Sequence, residues 1–185
     1  NISLLREEII VAGSAVLDNS LSNFAMKNNI GGFEFLSCIP GTIGGGIKMN
    51  AGCFGKEFKD ILISIQTIDN FGNIRTIPSN KIKFNYRENN LSDNLIFLSA
   101  SFKGYSSNLK KIEIEMNKLK LLKKKNQPTK IKTSGSTFKN PVDQTKKKVW
   151  QLIKSSISDD ISYGDASISK KHANFFVNKK NAKSA

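Results

Sequence analysis

Three short stretches hold residue types that could do chemistry. "SGSTFKNP", residues 134–141, places the Ser136 hydroxyl beside Phe138, Lys139 and Asn140. A serine nucleophile wants a base, and the only histidine of the chain is His172. There is no Gly-x-Ser-x-Gly elbow, so Ser136 reads as a group that transfers a proton rather than one that accepts an acyl group. "FNYRENN", residues 84–90, sets Arg87 between aromatics and a polar turn, where a guanidinium could clamp a carboxylate or phosphate. "SCIPGTIGGGIKMNAGCFG", residues 37–55, gathers six of the 13 glycines. It lacks the Gly-Lys-Ser/Thr ending of a Walker loop and is not a dinucleotide fingerprint. Stacked backbone amides could still hold a diphosphate there, with Pro40 pre-setting a turn and Gly41, Gly44 and Gly45 letting a ligand pass closely. A glycine-rich turn that serves only packing is the equal alternative.

The elements that would position these groups follow from periodicity. Residues 9–17 begin extended. A helix follows in "DNSLSNFAMKNNIGG", capped by Asp18 or Ser20, with Leu21, Phe24 and Ala25 as its apolar stripe and Gly31 as its stop. "ILISIQTIDNFGNIRTI" predicts two strands joined at "DNFGN", and "LIFLSASFKG" a further strand. Leu109, Ile112, Met116 and Leu119 are spaced for one face of a helix over 107–125, ended by Pro128. Beyond it, "KKKVWQLIKSSI" reads as a short helix and "ANFFVN" as a buried strand. The fold class expected is α+β, with one domain over 1–104 and a second over 105–185 that opens with the linker helix.

The 185 residues carry a net charge of +14, and it is uneven. Residues 1–104 hold 10 Lys+Arg against 9 Asp+Glu, whereas residues 105–185 hold 19 against 6. Such a balance suits a phosphate-bearing partner or a solvated lysine-rich surface. No apolar run approaches the roughly 20 residues that cross a bilayer, and the chain reads as soluble and cytoplasmic. Cys38 and Cys53 make no secreted disulfide framework, and no metal-ligand spacing is present. His172, beside an apolar run, reads as a structural hydrogen-bonder. The aromatics among the second-half lysines allow a basic nucleic-acid-binding module, although most fall inside apolar runs and fit a core better.

"GGFEFLSCIPGTIGGGIKMNAGCFG", "FNYR", "SGSTFKNP" and "SISKKHANFFVN" occur in the order seen in the UDP-N-acetylenolpyruvoylglucosamine reductase family, which the chain resembles over essentially its whole length. The resemblance implies part of a vanillyl-alcohol-oxidase-type FAD-binding domain followed by a smaller α+β substrate-binding domain. It implies FAD as cofactor, NADPH as co-substrate and a UDP-sugar as substrate, acting in peptidoglycan precursor synthesis, with no metal, nucleic acid or membrane involved and a monomeric state. Cofactor contacts would come from Pro40, Gly41, Thr42, Gly44, Gly45, Asn50, Ala51 and Gly52. Arg87 would fall on the catalytic arginine, Ser136 on the proton donor, and Lys139 and Asn140 beside them on the substrate. Cys38 and Gly46 depart mildly from the family pattern. The family's opening flavin-binding segment is not found before Asn1, nor its glutamate-bearing segment after Ala185, so a fragment is expected. The competing readings are a non-enzymatic basic binding module and another FAD oxidoreductase of the same fold.

Overall fold

The structure, a computed structural model, describes residues 1–128, 131–158 and 160–183. It divides into two compact units, 1–121 and 122–185. The first unit is built on an antiparallel sheet. Its strands are β1 (Ile2–Arg6), β2 (Ile9–Gly13), β3 (Leu62–Ile68), β4 (Ile74–Pro78) and β5 (Ile96–Lys103), in the spatial order β1-β2-β5-β3-β4. Alternation puts Ile10 and Ala12 of β2, Ile65 of β3 and Ala100 and Phe102 of β5 in the core. The predicted hairpin forms at "DNFGN". Asp69 Oδ1 accepts from the amides of Phe71 (2.9 Å) and Asn73 (3.0 Å), and Gly72 takes φ +83°.

Helix α1 (Asp18–Lys27) buries Leu21 and Ala25 in the same core, with Phe24 packed partly against it. Its ends differ from expectation. Leu17 occupies the N-cap position with no side-chain cap, and Asp18 is the first helical residue. The chain turns out of the helix at Asn28 and Asn29, the latter left-handed at φ +58°, before Gly31 is reached. Asparagine tolerates this conformation. Gly31 is needed instead for close approach, because a Cβ there would stand 2.7 Å from the Tyr105 ring. Phe35, Phe58, Phe102 and Phe33 then make a run of edge-to-face contacts with centroids 6.1–6.4 Å apart.

Within the glycine cluster lies a helix that the sequence reading missed, α2 (Ile43–Lys48). Five of its six residues are Gly or β-branched, so propensity argues against it. Packing overrides propensity here, since Ile43 and Ile47 are buried. Helix α3 (Leu109–Asn126) follows as predicted, with Ile112, Met116 and Leu119 buried and Lys123–Lys125 in its last turn. The Ser22 hydroxyl meets Met116 Sδ at 3.8 Å, and Leu119 belongs to the first core. That packing carries the first compact unit through Leu121, past residue 104 where the sequence reading put the domain change.

The second unit has its own sheet of β6 (Lys132–Ser136), β7 (Ser162–Tyr163), β8 (Ala166–Ser169) and β9 (His172–Asn178), ordered β6-β9-β8-β7, together with helix α4 (Val149–Ser156). Ala173, Phe175 and Val177 of β9 are buried with Ile168 and Val149. The closing "NAKSA" resembles the beginning of a helix in sequence, but residues 181–183 are not helical, and 184–185 lie outside the described residues. No helix among the described residues is long and apolar enough to cross a membrane.

Candidate functional site

The glycine cluster sorts by what each missing Cβ would meet. At Gly46 it would collide with the Phe58 ring, and at Gly52 with the Lys56 carbonyl. At Gly44 it would stand 3.1 Å from Ser14 Cβ. At these three positions the protein's own packing favours glycine. At Gly41 the Cβ would stand 3.3 Å from Asp18 Oδ2. At Gly45 only Thr42 Oγ1, at 3.6 Å, lies near, so nothing in the protein demands glycine there.

The expected loop of stacked amides is not what forms. The amides of Ile43 and Gly44 are spent on the carbonyls of Val16 and Ser14, both at 2.9 Å, and that of Gly46 on Thr42 at 2.8 Å. A chain this rich in glycine still satisfies its backbone internally, because a buried amide without a partner is costly. What the cluster presents outward is Pro40, Gly41, Gly45, Met49, Phe54 and Gly55, all exposed. Beside it opens a cavity of about 480 Å³ whose lining includes Ser14, Thr42, Gly44, Lys48, Asp93 and Phe97.

Asn50, expected as a cofactor contact, turns its side chain inward. It is wholly buried, and its side chain is engaged inside the protein. Nδ2 donates to Glu57 Oε2 (3.0 Å) and the Asn85 carbonyl (3.1 Å), while Oδ1 accepts from the Lys59 amide (3.2 Å). Asn50 is a brace. Ala51 accepts from the Phe58 amide at 3.0 Å and helps close the same turn.

Arg87 is placed by that brace. It is the second residue of a two-residue turn between Phe84–Asn85 and Glu88–Asn89, with φ +60°. Asn89 Nδ2 donates to the carbonyls of Ile47 and Lys48 at the end of α2, both at 3.0 Å, and so ties the turn to the glycine cluster. Arg87 then reaches back. Nη1 donates to the Asn50 carbonyl (3.0 Å) and Nη2 to the Gly52 carbonyl (2.9 Å), with the Tyr86 ring centroid 5.0 Å from Cζ. Two of the five guanidinium N–H groups are thus committed. The side chain retains 28% exposure and lines a cavity of about 390 Å³ with Gly52, Phe54, Glu57 and Lys59. A hydrogen bond and ion pair to Glu57 push the Lys59 ammonium upward from its ordinary value.

Sequence reasoning also missed Asp18. It is fully buried, both carboxyl oxygens lack a hydrogen-bond partner, and desolvation raises its pKa to about 7. Its place at the head of α1 suggested a cap, and only burial distinguishes it from one.

In the second unit Ser136 ends β6, exposed, opposite Phe175 of β9. Gly135 precedes it at φ +93° within an irregular stretch of the ladder. The segment after Ser136 is pinned by Asn174, a second residue that the sequence reading missed. Buried Asn174 accepts from the Phe138 amide (3.0 Å) and donates to the Phe138 carbonyl (2.8 Å), while its own carbonyl accepts from Thr137 (2.9 Å). Lys139 is exposed. Asn140 Oδ1 accepts from the Val149 amide (3.0 Å), so it braces the start of α4. His172 is the structural residue expected. Nδ1 accepts from the Asn174 amide (3.3 Å), the ring packs edge-on to Phe175, and desolvation lowers its pKa. The described residues contain no cluster able to hold a metal, and Cys38 and Cys53 form no disulfide.

Comparison with known proteins agrees with this two-part organisation. Residues 2–78 match the model of an FAD binding domain, and residues 127–185 match that of the UDP-N-acetylenolpyruvoylglucosamine reductase C-terminal domain. The chain is 66% identical over 182 residues to the UDP-N-acetylenolpyruvoylglucosamine reductase of Pelagibacter ubique, covering 98% of this chain and 60% of that protein. It is 47% identical over 182 residues to the reductase of Rickettsia bellii, covering 98% and 59%. The crystal structure of the Thermus caldophilus reductase superposes with a TM-score of 0.83 at 29% identity, over 94% of this chain and 63% of the other. The chain therefore spans about three fifths of the length of these relatives.

Proposed function

The chain belongs to the UDP-N-acetylenolpyruvoylglucosamine reductase family, and we propose that it is the part of such a reductase that holds FAD and two of the groups that act on the sugar substrate. The supporting observation is the coexistence in one chain of two features. One is an outward face on which Gly41 and Gly45 carry no side chain, in a unit matching an FAD binding domain. The other is an arginine fixed in left-handed backbone at the edge of an open cavity.

The residues present fit the cofactor. Gly41 and Gly45 leave the exposed side of the cluster clear, and Ser14 and Thr42 place hydroxyls along the neighbouring cavity. Flavin, when bound, supplies the transfer of hydride from NADPH to the enolpyruvyl group of the UDP-sugar. The chain's own residues supply charge and protons. Arg87, with N–H groups left over from its two carbonyl contacts, binds the substrate carboxylate and stabilises negative charge that develops beside it. Ser136, exposed at the strand end, donates a proton to the neighbouring carbon. Lys139 is open to the same anionic substrate. Asn140 and Asn50 act by holding backbone. The product is UDP-N-acetylmuramate for peptidoglycan, made in the cytoplasm by a single chain.

Gly45→Val tests the cofactor face. The protein itself leaves room for a Cβ there, so in the complete protein the expected outcome is loss of flavin absorbance after purification, with a melting temperature equal to that of the flavin-stripped wild type. Full flavin occupancy in that variant would remove the cluster from the cofactor site.

A further inference from the structure

Arg87, Asn50 and Phe54 carry φ of +60°, +38° and +53°, three of the four non-glycine residues with positive φ among those described. Left-handed backbone of this kind persists only where its surroundings over-determine it. The determinant common to this corner is Glu57. The antiparallel pairing of Gly52–Cys53 with Lys56–Glu57 brings Glu57 opposite Gly52, and the missing Gly52 side chain makes the approach possible. Oε2 of Glu57 then accepts from Asn50 Nδ2 at 3.0 Å and pairs with Lys59 Nζ at 2.9 Å. Its other oxygen, Oε1, lies 3.8 Å from Arg87 Nη1, within ion-pair range but beyond a hydrogen bond.

We propose that Glu57 is the positioning residue for Arg87. One carboxylate oxygen fixes the Asn50 turn, whose carbonyl holds the guanidinium, and the other faces that guanidinium directly. This rests on the reading of Arg87 as the group that binds the substrate carboxylate. Two routes therefore lead from one carboxylate to one guanidinium, through Asn50 and through charge. The carboxylate does not hydrogen-bond Arg87 itself, so the guanidinium keeps donors for an incoming anion. Asn50 has no further side-chain donor to offer, since both contacts of its Nδ2 are made inside the protein. A neutral amide in place of Glu57 would accept the Asn50 contact less strongly and would present no charge to Arg87 or Lys59.

The test uses the complete flavin-loaded protein and follows flavin absorbance by rapid mixing in each half of the turnover. Glu57→Gln is expected to slow oxidation of reduced flavin by the enolpyruvyl substrate by about 10- to 100-fold, the range for loss of one charge-assisted contact. Reduction by NADPH should stay within about twofold, because a positioning residue confined to Arg87 leaves that half alone. Arg87→Lys should slow the substrate half as well, and adding Glu57→Gln to it should cost little more, because the residue being positioned is already gone. Glu57→Asp, which keeps the charge, should be slowed less than Glu57→Gln. The proposal is overturned if Glu57→Gln leaves the substrate half unchanged, slows both halves alike, loses flavin altogether, or multiplies with Arg87→Lys. Arg87→Lys without effect would instead overturn the underlying reading of Arg87, whatever Glu57→Gln does.

Discussion

Arg87 sits in a corner where nearly every polar group has a partner. Its guanidinium, the buried Asn50 amide, Glu57 and the Asn89 amide are joined by bonds of 2.9–3.1 Å that cross between α2 and the Arg87 turn. Ser136 is an exposed strand end whose neighbouring segment depends on one buried asparagine, Asn174. The contrast suits the roles proposed for the two side chains. A guanidinium that is to stabilise developing charge must be fixed before the charge appears. A hydroxyl that is to give up a proton needs access, which a strand end with few contacts provides. Changes in the first region should therefore act through structure, and changes at Ser136 through chemistry alone.

The sharpest way to break this contrast is Ser136→Ala in the complete protein. The side chain is exposed, so the melting temperature should not move. Reduction of flavin by NADPH should stay intact, while the substrate half should lose about 10²–10⁴-fold. Rapid-mixing traces that slow equally in both halves, or in neither, would take Ser136 out of the mechanism.

Asp18 offers the next largest effect, since it is the place where the first unit leaves a carboxyl without partners. Its folded pKa of about 7 stands above the ordinary 3.8. The unfolded chain therefore loses the proton near pH 4 while the folded chain keeps it to near pH 7. Stability contributed by the neutral acid is full below pH 4, declines as pH rises from 4 to 7, and is flat above. Asp18→Asn removes the ionisation and should stabilise the apoprotein at pH 8 by up to about 4 kcal/mol, with no gain at pH 4. Urea midpoints at the two pH values check it, and a difference independent of pH would mean that Asp18 does not titrate in this window.

The smallest effect separates two neighbouring glycines of one helix. Gly46→Ala drives a methyl into the Phe58 ring and should cost about 1–3 kcal/mol. Gly45→Ala meets only ordinary contact with Thr42 Oγ1 at 3.6 Å and should stabilise by no more than about 1 kcal/mol. Thermal melts of the two variants that match would erase the distinction between packing glycines and the outward face.

Local rules were enough to read much of this chain. The three-four-three spacing of Leu109, Ile112, Met116 and Leu119 gave a helix with the last three buried. The Asp-Asn-Phe-Gly-Asn turn held its two strands. Those signals are periodic or confined to a few consecutive residues, and no distant contact opposes them. Arg87 and Ser136 stood out because each lies in a short polar motif, "FNYRENN" and "SGSTFKNP".

The remainder was decided by contacts distant in sequence. Helix α2 forms against its propensities because Ile43 and Ile47 are buried and Gly46 lies on Phe58. Asn50, which resembles a cofactor contact, became a brace because Glu57 and Asn85 reach it first. Asp18 became an orphan acid rather than a cap because the glycine cluster covers it. The sequence by itself determined the helices and strands that follow local period, and by residue type it singled out the side chains proposed for chemistry. Only the tertiary structure decided which polar groups are spent inside the protein and which remain for a ligand. A hydrogen-bond donor can be committed once, and its partner lies in a part of the chain that no local pattern reveals.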